Sequence, residues 1–462
     1  MMNYPRPSRL TSLALVLTLL VALLAFFGRA ASAQQATADS TIRLTLGEAV
    51  RLASRKNAMV ESARFRMAAA QARVTQRRAD LLPTVSASVS ERGSTINSAA
   101  AFPIEFPAAP GQAPLFDRKG SLLGPLNVLD ARARVSQAVL DPGALQRMRG
   151  ARTSVRAAGA DVANVADIAA AAAANAYLTV LRADAVFGAR LADSTLAAEL
   201  LGIAQDQLRA GTGVALDVTR ARSQLTGART QLIVARNDRA RTRVELARAL
   251  GLPLVQLVLV DSLASLPLST SAAETAALSA ALTGRKDLQS IELQAHAARQ
   301  QAAAIRSERL PTIGVFADQG IVQRNGRSYL PTYDWGVQLS LPIFDGLRRE
   351  GRVEEQVAAA HDLEWRERDL RTQVEADIRI AVLNLTSSTE VVSAARERLG
   401  LAEQEVAQAR ERFQAGVSGN ADVITASLTL NTARTQHVDA LASYHAARVA
   451  LARAQGSITT FE

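Results

Sequence analysis

The chain is 462 residues long, more than one ordinary core holds, which predicts two or three structural units. It has no cysteine and only four histidines, which excludes disulfides, thiolate ligands and a cysteine-borne lipid anchor, and argues against a structural zinc site. Its formal charge is +10, but the basic residues are nearly all arginine and alternate with acids, as from Glu364 to Asp369, a pattern of solvated helix faces that argues against nucleic acid as a partner.

The chain opens with a targeting pattern. Arg6 and Arg9 precede an apolar run from Leu10 to Phe27, and Ala31-Ser32-Ala33 forms a small-x-small cleavage site, so residues 1–33 read as a signal peptide. A retained membrane anchor is the alternative. After residue 33 no apolar run of about 20 residues is evident, so membrane residence would have to rest on strands. After a first helix, Leu82-Pro83-Thr84 leads into a strand in which Val85, Ala87 and Val89 alternate with Ser86, Ser88 and Ser90. Residues 92–127, rich in Pro, Ala and Gly, read as a long inserted loop. A second strand follows, with Ala131, Ala133, Val135 and Val139 alternating with Arg132, Arg134 and Ser136. From Pro142 to Arg209 no further proline occurs, and 68 helical residues would span about 100 Å. A tight turn at Gly211 to Asp217 returns the chain along another helix. Residues 251–273, beginning Gly251-Leu252-Pro253, read as a linker.

The plan then repeats. Leu310-Pro311-Thr312 opens a strand to Val322, the turn at 323–328 contains Asn325-Gly326, and Tyr333, Trp335, Val337, Leu339, Leu341 and Ile343 alternate with Asp334, Gly336, Gln338 and Ser340. Gly346 to Phe413 predicts a second helix of the same length. Leu370, Val374, Ile378, Ala381 and Leu385 form one stripe of it. Gly416 to Val423 repeats Gly211 to Val218 at an offset of 205, and Ser340 to Asp345 repeats Ser136 to Asp141 at 204. The expected organisation is therefore a signal peptide (1–33), a first repeat (34–250), a linker or equatorial segment (251–273) and a second repeat (274–462).

A lipid-facing sheet leaves no open edges, and four strands per chain are too few to close a barrel, so such a chain must oligomerise. Three copies would supply twelve strands, and the long helices would continue the wall into the periplasm as a tube. The two glycine turns, the segment Leu341 to Gly346, the segment Thr45 to Val50 and the alanine-rich closing helices together resemble the TolC family of outer-membrane efflux proteins over residues 41–456. No one of these motifs is specific alone; their order and spacing are. The resemblance implies an α+β fold: a homotrimer with a twelve-stranded outer-membrane β-barrel continued by a long periplasmic α-helical barrel, each chain an internal two-fold repeat. It implies a channel that passes substrates outward in an efflux or type I secretion system. Its partners would be a periplasmic adaptor, an inner-membrane transporter of RND or ABC type, and outer-membrane lipid.

By position, Gly211, Thr212, Gly213, Val214 and Asp217 would form one periplasmic tip in contact with the adaptor, and Gly416, Val417, Ser418, Gly419 and Asp422 the other. Asp422 would also face the pore entrance, where three copies make an acidic ring. The plainer reading of Asp217 and Asp422 is helix capping. Some relatives carry a second acid one turn further on; here that position is Thr425, and Phe413 and Ser418 replace closure residues of some relatives. Tyr329, Tyr333, Trp335 and Phe344 read either as an interfacial girdle or as ordinary sheet packing.

Little points to an enzyme. His437 and His445 are eight residues apart on one helix, roughly 12 Å, too far to share a metal, and His296 and His361 are isolated. Gly211 to Gly213 is at most a fragment of a phosphate loop. No catalytic residue, cofactor site or metal site is expected. The rival readings are a periplasmic helical adaptor, which would not carry two amphipathic strand pairs, and a soluble hydrolase, which lacks a catalytic constellation.

Overall fold

The computed structural model describes residues 42–97, 99, 120, 122–253, 257–267 and 273–461. The expected signal peptide and most of the inserted loop lie outside the described residues. A short strand β1 (Ile42–Leu44) leads into α1 (Leu46–Lys56) through a capping box. The Thr45 hydroxyl accepts from the Glu48 N–H at 3.3 Å, and the Glu48 carboxylate accepts from the Thr45 N–H at 2.8 Å. Then come α2 (Ala58–Ala79), β2 (Thr84–Asn97), β3 (Leu122–Leu140), α3 (Pro142–Arg209) and α4 (Ala215–Ala249). After β4 (Leu257–Leu259), which pairs parallel with β1, the chain forms α5 (Glu274–Gly284), α6 (Lys286–Ser307), β5 (Thr312–Arg324), β6 (Leu330–Ser340), α7 (Arg348–Gln414) and α8 (Asn420–Ala454). The helices pair in length: α1 and α5 have 11 residues each, α2 and α6 have 22, α3 and α7 have 68 and 67, and α4 and α8 have 35.

The long helices start where local chemistry starts them. Asp141 accepts from the Ala144 N–H at 2.8 Å, and Pro142 occupies the first turn, where its missing N–H costs nothing. At α7 the residue before the helix, Leu347, is left-handed (φ 65°), and the Asp345 carboxylate accepts from the Arg349 N–H at 3.2 Å. The strand-side half of α3 packs against α2 and α6, and α6 against α7. The other half of α3 packs against α4 and α8, and α8 against α7. The wall is therefore four helices wide, in the order α2-α3-α6-α7 near the strands and α4-α3-α8-α7 away from them. β2, β3, β5 and β6 form one antiparallel sheet in that sequence, the same order as the helices they join.

The largest core lies at mid-height, where Tyr177 and the alanines of α3 meet β1, β4, α1 and the ends of α4 and α8. The Tyr177 hydroxyl lies 2.9 Å from both the Leu44 carbonyl and the Asp261 carboxylate, which also accepts from the Leu46 N–H at 2.8 Å. This core corrects one expectation. By length and composition α3 is apolar enough to cross a membrane, but more than half of the stretch that qualifies is buried in the chain's own packing.

Three other readings change. β2 and β3 run through residues 92–97 and 122–127, expected as loop, because the strands keep pairing there from Arg92↔Val128 to Asn97↔Leu122. Val139 falls at a register shift: Ala138 pairs with Gly314 and Leu140 with Ile313, so one extra residue breaks the alternation. The alternation read through Ile343 ends at Ser340, because Pro342 has no N–H for a ladder. Asn325 and Gly326 both have positive φ (47° and 70°), as a hairpin twisted like its strands requires.

Candidate functional site

The sheet has two chemically different faces. Pairing sets Val85, Val135, Ala317 and Trp335 side by side, with Ala87, Ala133, Gln319 and Tyr333 in the next row of that face. Most of its apolar side chains are open to the outside: Val85, Trp335 and Tyr333 are 74%, 72% and 81% exposed, and Val135 43%. The opposite face carries Ser86, Arg134, Asp318 and Asp334 in one row and Ser88, Arg132, Gly320 and Thr332 in another. The charges there interact laterally. Arg132 donates to Asp130 at 2.9 Å and to Asp318 at 3.3 Å, and the Arg134 guanidinium lies 4.7 Å from the centre of the Phe316 ring. Gly336 leaves room for that ring, since a Cβ there would come within 2.9 Å of it. β2 and β6 are the sheet's ends, each with one edge unpaired among the described residues.

At the far end, the two expected turns lie side by side. Each closes its helix through a left-handed glycine, Gly211 (φ 75°) and Gly416 (φ 70°). The next N–H reaches back five residues in both: Thr212 to the Gln207 carbonyl and Val417 to the Arg412 carbonyl, each at 3.0 Å. Two side chains tie the tips together. Gln207 donates to the Phe413 carbonyl and Asn420 donates to the Asp217 carbonyl, both at 2.9 Å. Phe413, 2% exposed, packs with Leu200, Ala204, Ala221 and Val423 beneath them. Val214, Leu216 and Val417 stand out at 57%, 54% and 71% exposure, an apolar rim on an otherwise polar tip.

Capping is not the work of the tip aspartates. The cap residues are Val214 and Gly419, and neither helix has a side-chain cap. Asp217 and Asp422 stand in the first turn instead, where a carboxylate favours the positive end of the helix dipole. Asp422 is exposed and accepts from the Ser418 hydroxyl at 2.8 Å; Thr425 bonds back to the Ala421 carbonyl. Thr212 and Gly419 are exposed, while Gly213 and Ser418 are half-buried.

Asp193 of α3 is indistinguishable in the sequence from other acids in arginine-rich helices, yet it is 3% exposed. Arg434 of α8 holds it at 3.0 Å and Arg190 at 3.2 Å, and Arg190 also donates to Thr435. Burial still keeps its carboxyl above the usual range, against the pull of both arginines. The group borders a cleft of about 490 Å³ between α3, α4 and α8. Of the histidines, His445 is buried against the Leu263 carbonyl at 3.2 Å and Tyr444, and burial lowers its pKa; burial lowers that of His437 too. His361 pairs with Glu364 on the surface.

Residues 49–252 and 277–457 match the outer membrane efflux protein family. Over 246 residues the chain is 27% identical to the alkaline protease secretion protein AprF of Pseudomonas aeruginosa; the match covers 50% of this chain and 50% of AprF, so the chain spans about half the length of that relative. The fold is similar to that of the Campylobacter jejuni CmeC outer membrane channel (TM-score 0.72, 18% identity, 89% of this chain and 85% of that one). It is also similar to the open state of the Neisseria gonorrhoeae MtrE outer membrane channel (TM-score 0.70, 16% identity, 98% and 97%) and to the Vibrio cholerae outer membrane protein VceC (TM-score 0.70, 18% identity, 89% and 96%).

Proposed function

We propose a function that proceeds from one fact: the chain belongs to the outer membrane efflux protein family, and its place is the outer membrane. It is one stave of an exit duct. Three copies join β6 of one to β2 of the next, closing a twelve-stranded barrel with its apolar face in lipid and its charged face lining the lumen. The helices continue the wall as a periplasmic tube, and the two tips ring its entrance, with Asp422 of each copy contributing to an acidic mouth. The chain is a conduit rather than a catalyst.

The observation that carries this reading is the two-faced sheet with free edges, whose strands run in the same lateral order as the helices. Lipid explains an exposed row of Val85, Val135, Ala317 and Trp335; water does not. Tyr329, Tyr333, Trp335 and Phe344 then form part of an interfacial girdle. The matching helix lengths support an internal two-fold repeat, with units at 34–250 and 274–462 joined by 251–273 and preceded by a cleaved 1–33. The apolar rim of Val214, Leu216 and Val417, with Gly211 to Asp217 and Gly416 to Asp422, is the surface offered to a periplasmic adaptor. Through it the duct would serve an inner-membrane transporter of RND or ABC type in efflux or type I secretion. A periplasmic adaptor without a barrel would have no use for an exposed apolar sheet.

Detergent-extracted protein from the outer-membrane fraction is expected to have a mass of three chains by light scattering corrected for bound detergent. It should also conduct ions in a planar bilayer. A soluble monomer would sink the reading.

A further inference from the structure

Near the strands the helices sort their charges by side. On α3, Arg147 reaches Asp141 at 3.5 Å and Glu308 at 3.4 Å, and Arg352 of α7 reaches the same Glu308 at 2.8 Å. Asp141, with Asp80 at the end of α2, borders a cavity of about 600 Å³ shared with Arg134, Ser136 and Phe316. This paired set therefore lies on the side that continues the charged face of the sheet. A residue two positions along a helix stands about 200° round, on the opposite side. Arg78 stands two positions from Asp80, Arg149 two from Arg147, and Arg306 two from Glu308; Asp80 and Glu308, as helix caps, keep helical backbone. Arg152 and Arg156 stand about 140° and 180° round from Arg147. These arginines are all exposed, and none has an ion pair among the described residues.

They form one patch. Arg66 of α2 meets Asp161 of α3 at 3.5 Å, a register that sets Arg78 level with Arg149. The patch ends at α7, where the positions two from Arg352 are Glu350, held by Arg309, and the exposed Glu354. Towards the strands the surface turns apolar. Leu145, one turn nearer the sheet than Arg149 and on the same side, is 37% exposed, and Leu82 and Leu310, four residues beyond Arg78 and Arg306, are exposed as well. We propose that this arginine patch binds the phosphate groups of anionic phospholipids in the periplasmic leaflet. This rests on the reading of the sheet as a lipid-facing barrel. The headgroup layer on each side of a bilayer is about 5–8 Å thick. With Leu145 at the edge of the hydrocarbon, Arg149 lies about 6 Å below it, in that layer. Arg152 and Arg156 follow about 10 and 16 Å below Leu145, the first within a Debye length (about 8 Å) of the layer and the second near its limit. Each arginine near an anionic surface strengthens the attraction about fivefold.

The test is lipid retention by the detergent-extracted full chain. The protein is loaded with equal phosphatidylglycerol and phosphatidylethanolamine, washed in detergent at low salt, and its lipid read by mass spectrometry. The native chain is expected to retain phosphatidylglycerol in at least tenfold excess. Arg78→Gln, Arg149→Gln, Arg152→Gln, Arg156→Gln and Arg306→Gln together should abolish that excess, and lysine at the same positions should keep most of it. Equal retention of both lipids by the native chain, an excess indifferent to glutamine, or a loss as complete with lysine as with glutamine would overturn the lipid site while leaving the duct standing. A glutamine variant that keeps its lipid but no longer sediments with isolated cell-wall sacculi would assign the patch to the wall instead. A native chain that is a soluble monomer would overturn both the site and the barrel.

Discussion

Asp167 shows how one buried carboxyl sets a pH response. Burial pushes it up to about 6, with Lys286 opposing and Asp287 reinforcing. The folded chain thus holds this proton more tightly than the unfolded chain, whose carboxyl titrates near about 3.9. The stability this group contributes is present at low pH and is lost as pH rises through about 6. Two units correspond to about 3 kcal/mol, but the side chain keeps some water contact, so about 1 kcal/mol is expected. Asp167→Asn should raise the melting temperature at pH 7.5 and leave it nearly unchanged at pH 4; an equal effect at both would refute the assignment. The tip glycines isolate a backbone cost in the same way. A Cβ at Gly211 or Gly416 meets nothing within 4 Å, so alanine there pays only for the left-handed φ, about 1 kcal/mol. Thermal unfolding of Gly416→Ala that matched the native chain would contradict that. None of Asp167, Asp193 or the Asn420 tie was legible in the sequence, because each depends on a neighbour from a distant element.

Elements were read better where a local rule governs them. The run from Pro142 to Arg209 became one helix with the expected ends, because proline and glycine punctuate it. The β5-β6 hairpin followed from strict alternation and Asn325-Gly326. The first hairpin was read short: Gly93, Ser94 and Asn97 carry no strand signal, and only pairing with β3 makes them strand. The two faces of the sheet make opposite predictions for the same change. Val337→Arg on the exposed apolar face should cost about 2–4 kcal/mol at mid-bilayer and deplete the protein from the outer-membrane fraction. Ser86→Arg, on the charged face, should leave the amount in that fraction unchanged. Equal losses from both would mean that the sheet does not separate lipid from lumen.

Across the whole molecule, the order of strands and the order of helices agree although β3 and β5 are far apart in the chain. Alternation alone does not reveal which hairpin lies beside which; the β3-β5 ladder does. The tip ties have a mechanical side. From the Tyr177 core to Arg209, α3 is an unbroken lever arm of about 48 Å. A rotation of roughly 4° at the fulcrum moves its end by about 3 Å. That travel is enough to part both the Gln207 and Asn420 hydrogen bonds, each 2.9 Å long. Small rotations at mid-height therefore reach the tip turns as magnified displacements, and side chains remote from the tips hold leverage over them.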